Sequence, residues 1–212
     1  MRPARVAAVL FDWDGTLCDS GAAGLRAFEK ALEEFGVAFT HAAYKAVYTP
    51  AWYRMYEAFG LPPSLWAQAD ERWLHHYGCE RPELMAGAAA VLDALRDRDV
   101  RLGIVTSGTR DRIELELTRL GLAATFEAIV CHEDVANRKP HPEGIEKALA
   151  LLNAAAGDCC FVGDTPEDIL MGKSARVFTI GVLSEYVESG RLAACCPDLL
   201  LPRIEDLPPL LL

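Results

Sequence analysis

Short apolar segments recur along the chain, and each is followed by a longer segment of mixed apolar and polar residues. The apolar segments are residues 6–11, 101–106, 126–131, 159–163, 177–182 and, with a weaker pattern, 197–201. Their apolar residues are continuous rather than alternating, which is typical of parallel strands buried on both faces. The pattern therefore predicts a parallel sheet covered on both sides.

The segments between the strands repeat their apolar residues at helical spacing. The clearest repeats are Leu84, Ala88, Val91, Leu92 and Leu95, then Ile113, Leu117 and Leu120, and finally Ile145, Leu149 and Leu152. Gly121 directly follows the second repeat, where a helix commonly ends on a glycine. Alternating strands and helices predict an α/β fold, a Rossmann-like parallel sheet with helices on both faces.

One interval is too long for a simple crossover. About ninety residues separate the first two predicted strands, whereas a crossover helix needs about a dozen. The interval opens with an amphipathic stripe at Leu25, Phe28, Leu32 and Phe35. Further segments with helical spacing follow, and none of them has the pattern of a strand. We predict an inserted small all-helical domain at residues 18–82, between the two parts of an α/β core, residues 1–17 and 83–212.

Composition and charge limit the kind of partner. The 212 residues are 51% hydrophobic and carry a formal net charge of −10, which argues against nucleic acid or an acidic membrane surface as a partner. An anionic substrate remains compatible, because a metal ion or a few cations can reverse the field locally. No apolar run reaches the roughly 18 residues of a membrane span, and we expect a cytoplasmic protein. The oligomeric state is not predicted.

The chain has seven cysteines, an odd count, and none of them forms a CxxC pair. This pattern favours reduced structural thiols over a disulfide framework or a zinc site.

Groups that could take part in chemistry follow four of the predicted strands. In chain order they are Asp12 and Asp14, then Ser107 and Gly108, then Lys139, and finally Asp164 and Asp168. Ligands of an open parallel sheet bind beyond the carboxyl ends of its strands. Converging carboxylates need a cation, and Mg²⁺ favours carboxylates together with phosphate and water. The serine, the glycine amide and the lysine could hold a phosphoryl group from the opposite side. The set predicts a phosphate clamp facing a metal ion and a carboxylate nucleophile.

Asp12 and Asp14 have different predicted tasks. Residues two apart on a strand point the same way, so both can reach one phosphorus atom. One must be ionised to attack, and the other must hold a proton for the leaving oxygen, so their environments must differ. We predict Asp12 as the nucleophile and Asp14 as general acid and then general base. Each motif alone could be a turn, a helix cap or a solvated loop, and the interpretation depends on their order along four strands.

The sequence resembles the haloacid dehalogenase superfamily, in its phosphatase branch with a small helical cap inserted after the first motif. LFDWDGTLCDS resembles the first motif, LGIVTSG the second, RKPHP the third and FVGDTPEDILMG the fourth. The four motifs occur in the family's order and extend over nearly the whole chain.

The resemblance implies that Asp12 forms an aspartyl-phosphate. It also implies that Mg²⁺ is held by Asp12, by the backbone carbonyl of Asp14 and by Asp164, with Asp168 as a ligand through water or as a support. The phosphoryl oxygens would be held by the serine, glycine and lysine of the second and third motifs.

Several functions fit this resemblance. Dehalogenases and phosphonate-cleaving members lack an acid at the position of Asp14, so its presence selects phosphate-ester chemistry. β-Phosphoglucomutase-like members carry a histidine near the position of Gly24, Leu25 and Arg26, which favours hydrolysis here. The leading hypothesis is a Mg²⁺-dependent phosphatase of a small phosphorylated metabolite, similar to phosphoglycolate phosphatases. The alternatives are a pyrophosphatase or nucleotidase, a β-phosphoglucomutase-like phosphotransferase, and a non-catalytic phospholigand-binding module.

Some positions depart from the family pattern or have no assigned role. Arg176 stands where related phosphatases have a glycine, and we expect a structural effect at the turn into the fifth strand. Glu167 is expected to be an exposed residue in the first turn of a helix. The polar residues of the cap that could select a substrate are expected to lie on solvated faces; they are Arg26, Lys45, Arg54, His75 and His76.

Overall fold

A six-stranded parallel sheet forms the centre of the molecule. The computed structural model describes residues 3, 5–49, 52–187 and 189–207, with only the backbone of residue 52. The strands are β1 (Ala8–Phe11), β2 (Arg101–Val105), β3 (Ala128–Val130), β4 (Cys159–Gly163), β5 (Phe178–Val182) and β6 (Leu199–Leu201). Their order across the sheet is β3-β2-β1-β4-β5-β6, and all pairs are parallel. The predicted α/β sheet is confirmed, and every strand except β4 is shorter than its apolar run.

Helices cover both faces of this sheet, as predicted. One apolar cluster joins α5 (Ala88–Arg96) and α6 (Arg110–Arg119) to one face, where Val9 and Phe11 of β1 point. A second cluster joins α7 (Glu143–Leu152) and α8 (Pro166–Ser174) to the other face, where the neighbouring β1 residues point. Each strand is therefore apolar at successive positions because both of its faces are buried.

Between β1 and α5 lies a helical segment, residues 21–77, with its own apolar cluster. It contains α1 (Gly21–Glu34), α2 (His41–Val47), α3 (Trp52–Ala58) and α4 (Trp66–Tyr77). The aromatic ring of Phe28 stacks on Tyr56 with ring centroids 5.6 Å apart, so aromatic residues form much of this cluster. These helices lie within the predicted insertion. Its independence as a domain with boundaries at 18 and 82 stays a prediction.

The remaining elements are short. They are α9 (Ser189–Ala194) and 3₁₀ turns at Pro63–Leu65, His132–Asp134, Ala156–Asp158 and Ile204–Asp206. All seven cysteines are free thiols. Within the described ranges, no helix has the length and apolar character needed to cross a bilayer.

Two local expectations about glycine-type positions can be compared with the backbone. Gly121 follows α6 with a φ of +73°, as expected for a residue that ends a helix. Arg176 follows α8 with a φ of +59° and is exposed. The left-handed region is costly for a residue with a Cβ, so the expected structural effect at this turn is strain in the backbone of Arg176.

Candidate active site

The carboxyl ends of β1 and β4 lie side by side at the centre of the sheet and carry the first group of carboxylates. Asp12 follows β1, and its backbone N–H donates to the carbonyl of Val162 on β4 at 2.8 Å. Asp164 follows β4. Chain connections leave β1 toward β2 on one side and reach β4 on the other, so this is the switch point of the strand order, where open sheets bind ligands.

Three carboxylates converge there. Asp12, Asp164 and Asp168 are all buried, and one oxygen of each lies within 4.8 Å of the others. The Lys139 ammonium donates to Asp12 Oδ1 at 2.5 Å and to Asp168 Oδ1 at 2.7 Å. The structure thus brings together the lysine of the third predicted motif and the acids of the first and fourth.

One cation does not balance these charges. Burial raises the pKa of Asp12 to about 7 even though Lys139 opposes the rise. Burial, together with the charges of Asp12 and Asp168, raises the pKa of Asp164 well above its ordinary value. Clustered hard oxygen ligands with raised pKa values fit a divalent cation such as Mg²⁺, which binds to carboxylate oxygens.

Asp168 is held by the start of α8. Thr165, the residue before the helix, donates to Asp168 Oδ2 from its hydroxyl at 2.6 Å and from its backbone N–H at 3.0 Å. The other oxygen of Asp168 accepts from Lys139. Because both carboxylate oxygens are hydrogen-bonded within the chain, the geometry favours a supporting role for Asp168, one of the two roles that the resemblance implies.

The structure explains why a glycine, Gly15, follows the two aspartates of the first motif. Its φ is +81°, and a Cβ built on it would lie 2.5 Å from Asp164 Oδ2. The Thr16 hydroxyl donates to Asp164 Oδ1 at 3.4 Å. The turn after Asp14 therefore requires glycine for two reasons, its left-handed backbone conformation and the close approach of Asp164.

Asp14 faces the same cavity but has a different electrostatic environment. Its side chain is 29% exposed and receives two hydrogen bonds from Arg112, at 2.9 and 2.6 Å. Burial acts to raise the pKa of Asp14, but the Arg112 guanidinium outweighs it and the pKa is lowered. The environments of Asp12 and Asp14 thus differ. With the chain's own charges alone, however, the order of their pKa values is the reverse of the order that a nucleophile and a general acid need.

The loop after β2 brings Ser107 and Gly108 to the cavity. The Gly108 amide donates to Thr106 Oγ1 at 3.0 Å, so here this amide is satisfied within its own loop. Ser107 and Lys139 line the same cavity as Asp12, and their assignment to phosphoryl binding stays a prediction.

Sequence reasoning missed Arg112 and the residue behind it, Glu116. Glu116 is buried and lies 3.3 Å from Arg112, one helical turn away on α6. It accepts a hydrogen bond of 2.6 Å from the indole N–H of Trp13, which lies between Asp12 and Asp14. A signal was available, because an arginine and a glutamate four residues apart each directly precede a buried apolar position, Ile113 and Leu117.

The helical segment covers the cavity with aromatic and hydroxyl side chains. The cavity has a volume of about 50 Å³, below the roughly 300 Å³ of a typical ligand pocket. The aromatic and hydroxyl residues that the segment contributes are Tyr44, Tyr48, Thr49, Trp73 and Tyr77, beside the glycines Gly21 and Gly24. The five polar candidates of the sequence analysis are not among the described residues lining this cavity, and His76 alone of the five is partly buried.

Glu167 contradicts an expectation from the sequence. It is partly buried rather than exposed, and its Oε1 accepts a hydrogen bond of 2.6 Å from the Thr49 hydroxyl. The expectation was wrong because a first-turn helix residue is normally solvated, whereas here the helical segment packs over it. This contact joins the segment to the core beside the cavity.

Comparisons with known proteins agree with this architecture. A sequence profile described as haloacid dehalogenase-like hydrolase matches residues 9–182. Pyrophosphatase PpaX of Listeria innocua is 31% identical over 209 residues, covering 96% of this chain and 95% of the relative. Pyrophosphatase PpaX of Bacillus pumilus is 30% identical, with coverages of 98% and 97%. The crystal structure of a hydrolase from Pseudomonas syringae superposes with a TM-score of 0.84 at 23% identity, covering 97% of each chain.

Proposed function

Because the chain belongs to the haloacid dehalogenase-like hydrolase family, we propose that it is a Mg²⁺-dependent phosphatase of a small phosphorylated metabolite. The observation that carries this proposal is the buried cluster of Asp12, Asp164 and Asp168 facing Lys139, with Asp14 two residues from Asp12. A pure phosphate-binding site would not need this excess of carboxylates, which repel an anion unless a cation is bound.

Mg²⁺ would be held by Asp12, Asp164 and the backbone carbonyl of Asp14, and it would neutralise charge on the phosphoryl oxygens. A carboxylate oxygen of Asp12 attacks phosphorus while the bond from phosphorus to the leaving oxygen breaks, which gives an aspartyl-phosphate. In this step Asp14 must be protonated, which its present pairing with Arg112 opposes, and its proton then goes to the leaving oxygen. Asp14 then accepts a proton from the water that attacks the same phosphorus, and phosphate is released with Asp12 restored.

The chain's own cations support these steps. Lys139 donates a hydrogen bond to Asp12, so it is close enough to contact an oxygen of a phosphoryl group bonded to Asp12. Ser107 would contribute a hydroxyl from the opposite side of the cavity. Positioning and charge neutralisation of this kind provide most of the rate enhancement in phosphoryl transfer.

Residues 18–82 act in this proposal as a cap over the site. Two contacts support it: Thr49 donates to Glu167, and Arg191 of the core donates to the carbonyl of Tyr48 at 3.1 Å. The small cavity suits a phosphate-sized group in the present closed arrangement, so a substrate would enter when these contacts open. The cytoplasmic location stays a prediction.

Pyrophosphate is a second candidate substrate. Two relatives named pyrophosphatase PpaX match almost the whole chain at 30–31% identity, while the family resemblance of the sequence favours an enzyme similar to phosphoglycolate phosphatases. Both are small, and both carry negative charge on the leaving group.

The test is release of inorganic phosphate by the purified chain from phosphoglycolate, pyrophosphate, sugar phosphates and nucleotides, with Mg²⁺ and with EDTA. We expect one or a few preferred substrates, activity abolished by EDTA, and none from Asp12→Asn, because an amide cannot act as this nucleophile. Phosphate release that persists in EDTA, or in a folded Asp12→Asn variant, would contradict the proposal. Substrate binding without any turnover would favour the phospholigand-binding module instead.

A further inference from the structure

Arg112 occupies the junction of two cavities. It projects from the first turn of α6, its side chain is only 9% exposed, and it lines both the main cavity and a neighbouring one of about 130 Å³. The main cavity contains the carboxylate cluster and Lys139. A substrate whose reacting phosphoryl group lies on Asp12 and whose leaving group extends toward the second cavity would pass beside the Arg112 guanidinium.

The surrounding residues pack closely around this guanidinium and hold it in position. Glu116 lies behind it at 3.3 Å, and the Tyr77 ring lies beneath it with its centroid 5.1 Å from Arg112 Cζ. A Cβ built on Gly108 would lie 2.3 Å from Arg112 Nη2. The glycine after Ser107 therefore leaves room for the guanidinium to lie directly against the loop that faces the phosphoryl group.

The charges lining the main cavity are unequal. Four carboxylates line it, and among the described lining residues the cations are Lys139 and Arg112. Lys139 is engaged by Asp12 and Asp168 on the side of the reacting phosphoryl group. A second negative charge on the substrate would therefore find an opposite charge at Arg112, where it would compete with Asp14 and Glu116.

We infer that Arg112 is a specificity-determining residue that binds a second anionic group, a carboxylate or a phosphate, on the leaving group of the substrate. The inference rests on the proposed phosphatase function. Two Nη atoms of Arg112 are paired with Asp14 in the present arrangement. A guanidinium has five N–H donors in a planar fork that matches carboxylate and phosphate geometry, so the substrate anion can share Arg112 with Asp14 or replace it.

A purely structural role is the competing explanation, in which Arg112 only neutralises the partly buried Asp14 and the buried Glu116. The two explanations differ in what they predict for matched substrates. At the group distant from phosphorus, phosphoglycolate carries an ionised carboxylate and phosphoglycolamide an uncharged amide of similar size. Pyrophosphate and methyl phosphate form a second pair that tests a phosphate in place of a carboxylate.

The experiment compares kcat/KM of the wild-type chain and of Arg112→Gln on both pairs with Mg²⁺. We expect the substitution to lower kcat/KM by about 10- to 100-fold for the charged member of at least one pair, the loss typical of a charged hydrogen-bonded contact. The neutral member should change by much less. Arg112→Lys, which keeps the charge without the fork, should recover part of the preference. Arg119→Gln, on the same helix and paired with Glu83, is the matched control and should leave the preference intact.

The preference is a ratio measured within each variant, so partial unfolding does not imitate the result. Equal losses on both members of each pair would show that Arg112 acts only through Asp14 or the fold, and would overturn the inference. Calorimetric binding of phosphoglycolate and phosphoglycolamide to Asp12→Asn, with and without Arg112→Gln, needs no turnover. If the wild-type chain hydrolyses nothing, the phosphatase proposal fails, while calorimetry still decides on Arg112: equal or absent binding of the two ligands would overturn its assignment.

Discussion

The carboxylate cluster predicts an unusual dependence of stability on pH when no divalent cation is present. The pKa of Asp12 is about 7 in the folded chain, mainly because of burial, against an ordinary value of 3.8. An acid with a raised pKa contributes stability that is fully present below the unfolded value and is lost as the pH rises through the folded value. For Asp12 this window runs from about pH 4 to about pH 7.

The size of the effect follows from the two pKa values. Each pKa unit corresponds to about 1.4 kcal/mol, so Asp12 alone accounts for a loss of at most about 4 kcal/mol across this window. Asp14 has a lowered pKa, so its contribution is present above its ordinary value and is lost only at more acid pH. Asp12→Asn removes the Asp12 titration and also the part of the rise in the pKa of Asp164 that comes from the charge of Asp12.

The assay is urea unfolding in EDTA at a series of pH values for the wild-type chain and Asp12→Asn. We expect the free energy of unfolding of the variant to rise relative to the wild type between about pH 4 and about pH 7, by up to about 4 kcal/mol. Mg²⁺ should stabilise the wild type near neutral pH and the variant much less, because a ligand of the folded state adds its binding free energy. A difference between the two chains that does not change with pH would refute the reasoning.

Four further substitutions test individual features of the site and the fold. Asp14→Asn should remove most hydrolysis of substrates with poor leaving groups and less for an activated aryl phosphate, which needs no proton; the measurement is kcat on both. Gly15→Ala and Gly36→Ala place a Cβ at φ of +81° and +68°, but only the first meets Asp164. Both should lose about 1 kcal/mol of stability, while only Gly15→Ala should raise the Mg²⁺ concentration for half-maximal activity. Arg176→Gly should raise the free energy of unfolding by about 0.5–1 kcal/mol in urea, since glycine relieves its positive φ.

Specific outcomes would count against each of these expectations. Equal losses by Asp14→Asn on both kinds of substrate would argue against an acid role. An unchanged Mg²⁺ requirement in Gly15→Ala would separate Asp164 from the metal. A less stable Arg176→Gly would mean that the arginine side chain outweighs its backbone strain; Arg176→Ala, which keeps the Cβ, is the control.

Much of the fold was predictable because burial on both faces leaves a strong mark on the sequence. The continuous apolar runs located all six strands. The start of α5 was predicted less accurately. Leu84 lies at helical spacing with Ala88, but it precedes the helix and forms a short bridge with Cys18. Gly87 lies between Leu84 and α5 with a φ of +80°, and α5 starts at the next residue, Ala88. Periodicity alone does not detect such a backbone reversal.

The carboxylate cluster was predictable because parallel strands place their carboxyl ends at one edge of the sheet. The contacts of Arg112 were not, because Arg112 and Asp14 are 98 residues apart and meet only through the packing of α6 beside β1. The same holds for Thr49 and Glu167, which are 118 residues apart. Motifs therefore located the groups whose type and order along the chain are characteristic, including Asp168 on α8, whereas contacts between residues far apart in the sequence required the three-dimensional arrangement.

The central claim is that Asp12 becomes covalently phosphorylated during turnover. The most direct measurement is rapid quenching of the chain during turnover of its preferred substrate with Mg²⁺, followed by borohydride reduction and peptide mass spectrometry. Borohydride converts an aspartyl-phosphate to homoserine, so the account predicts homoserine at position 12, dependent on substrate and absent at Asp14 and Asp164. An unmodified Asp12 during measurable phosphate release, or modification at another carboxylate, would contradict it.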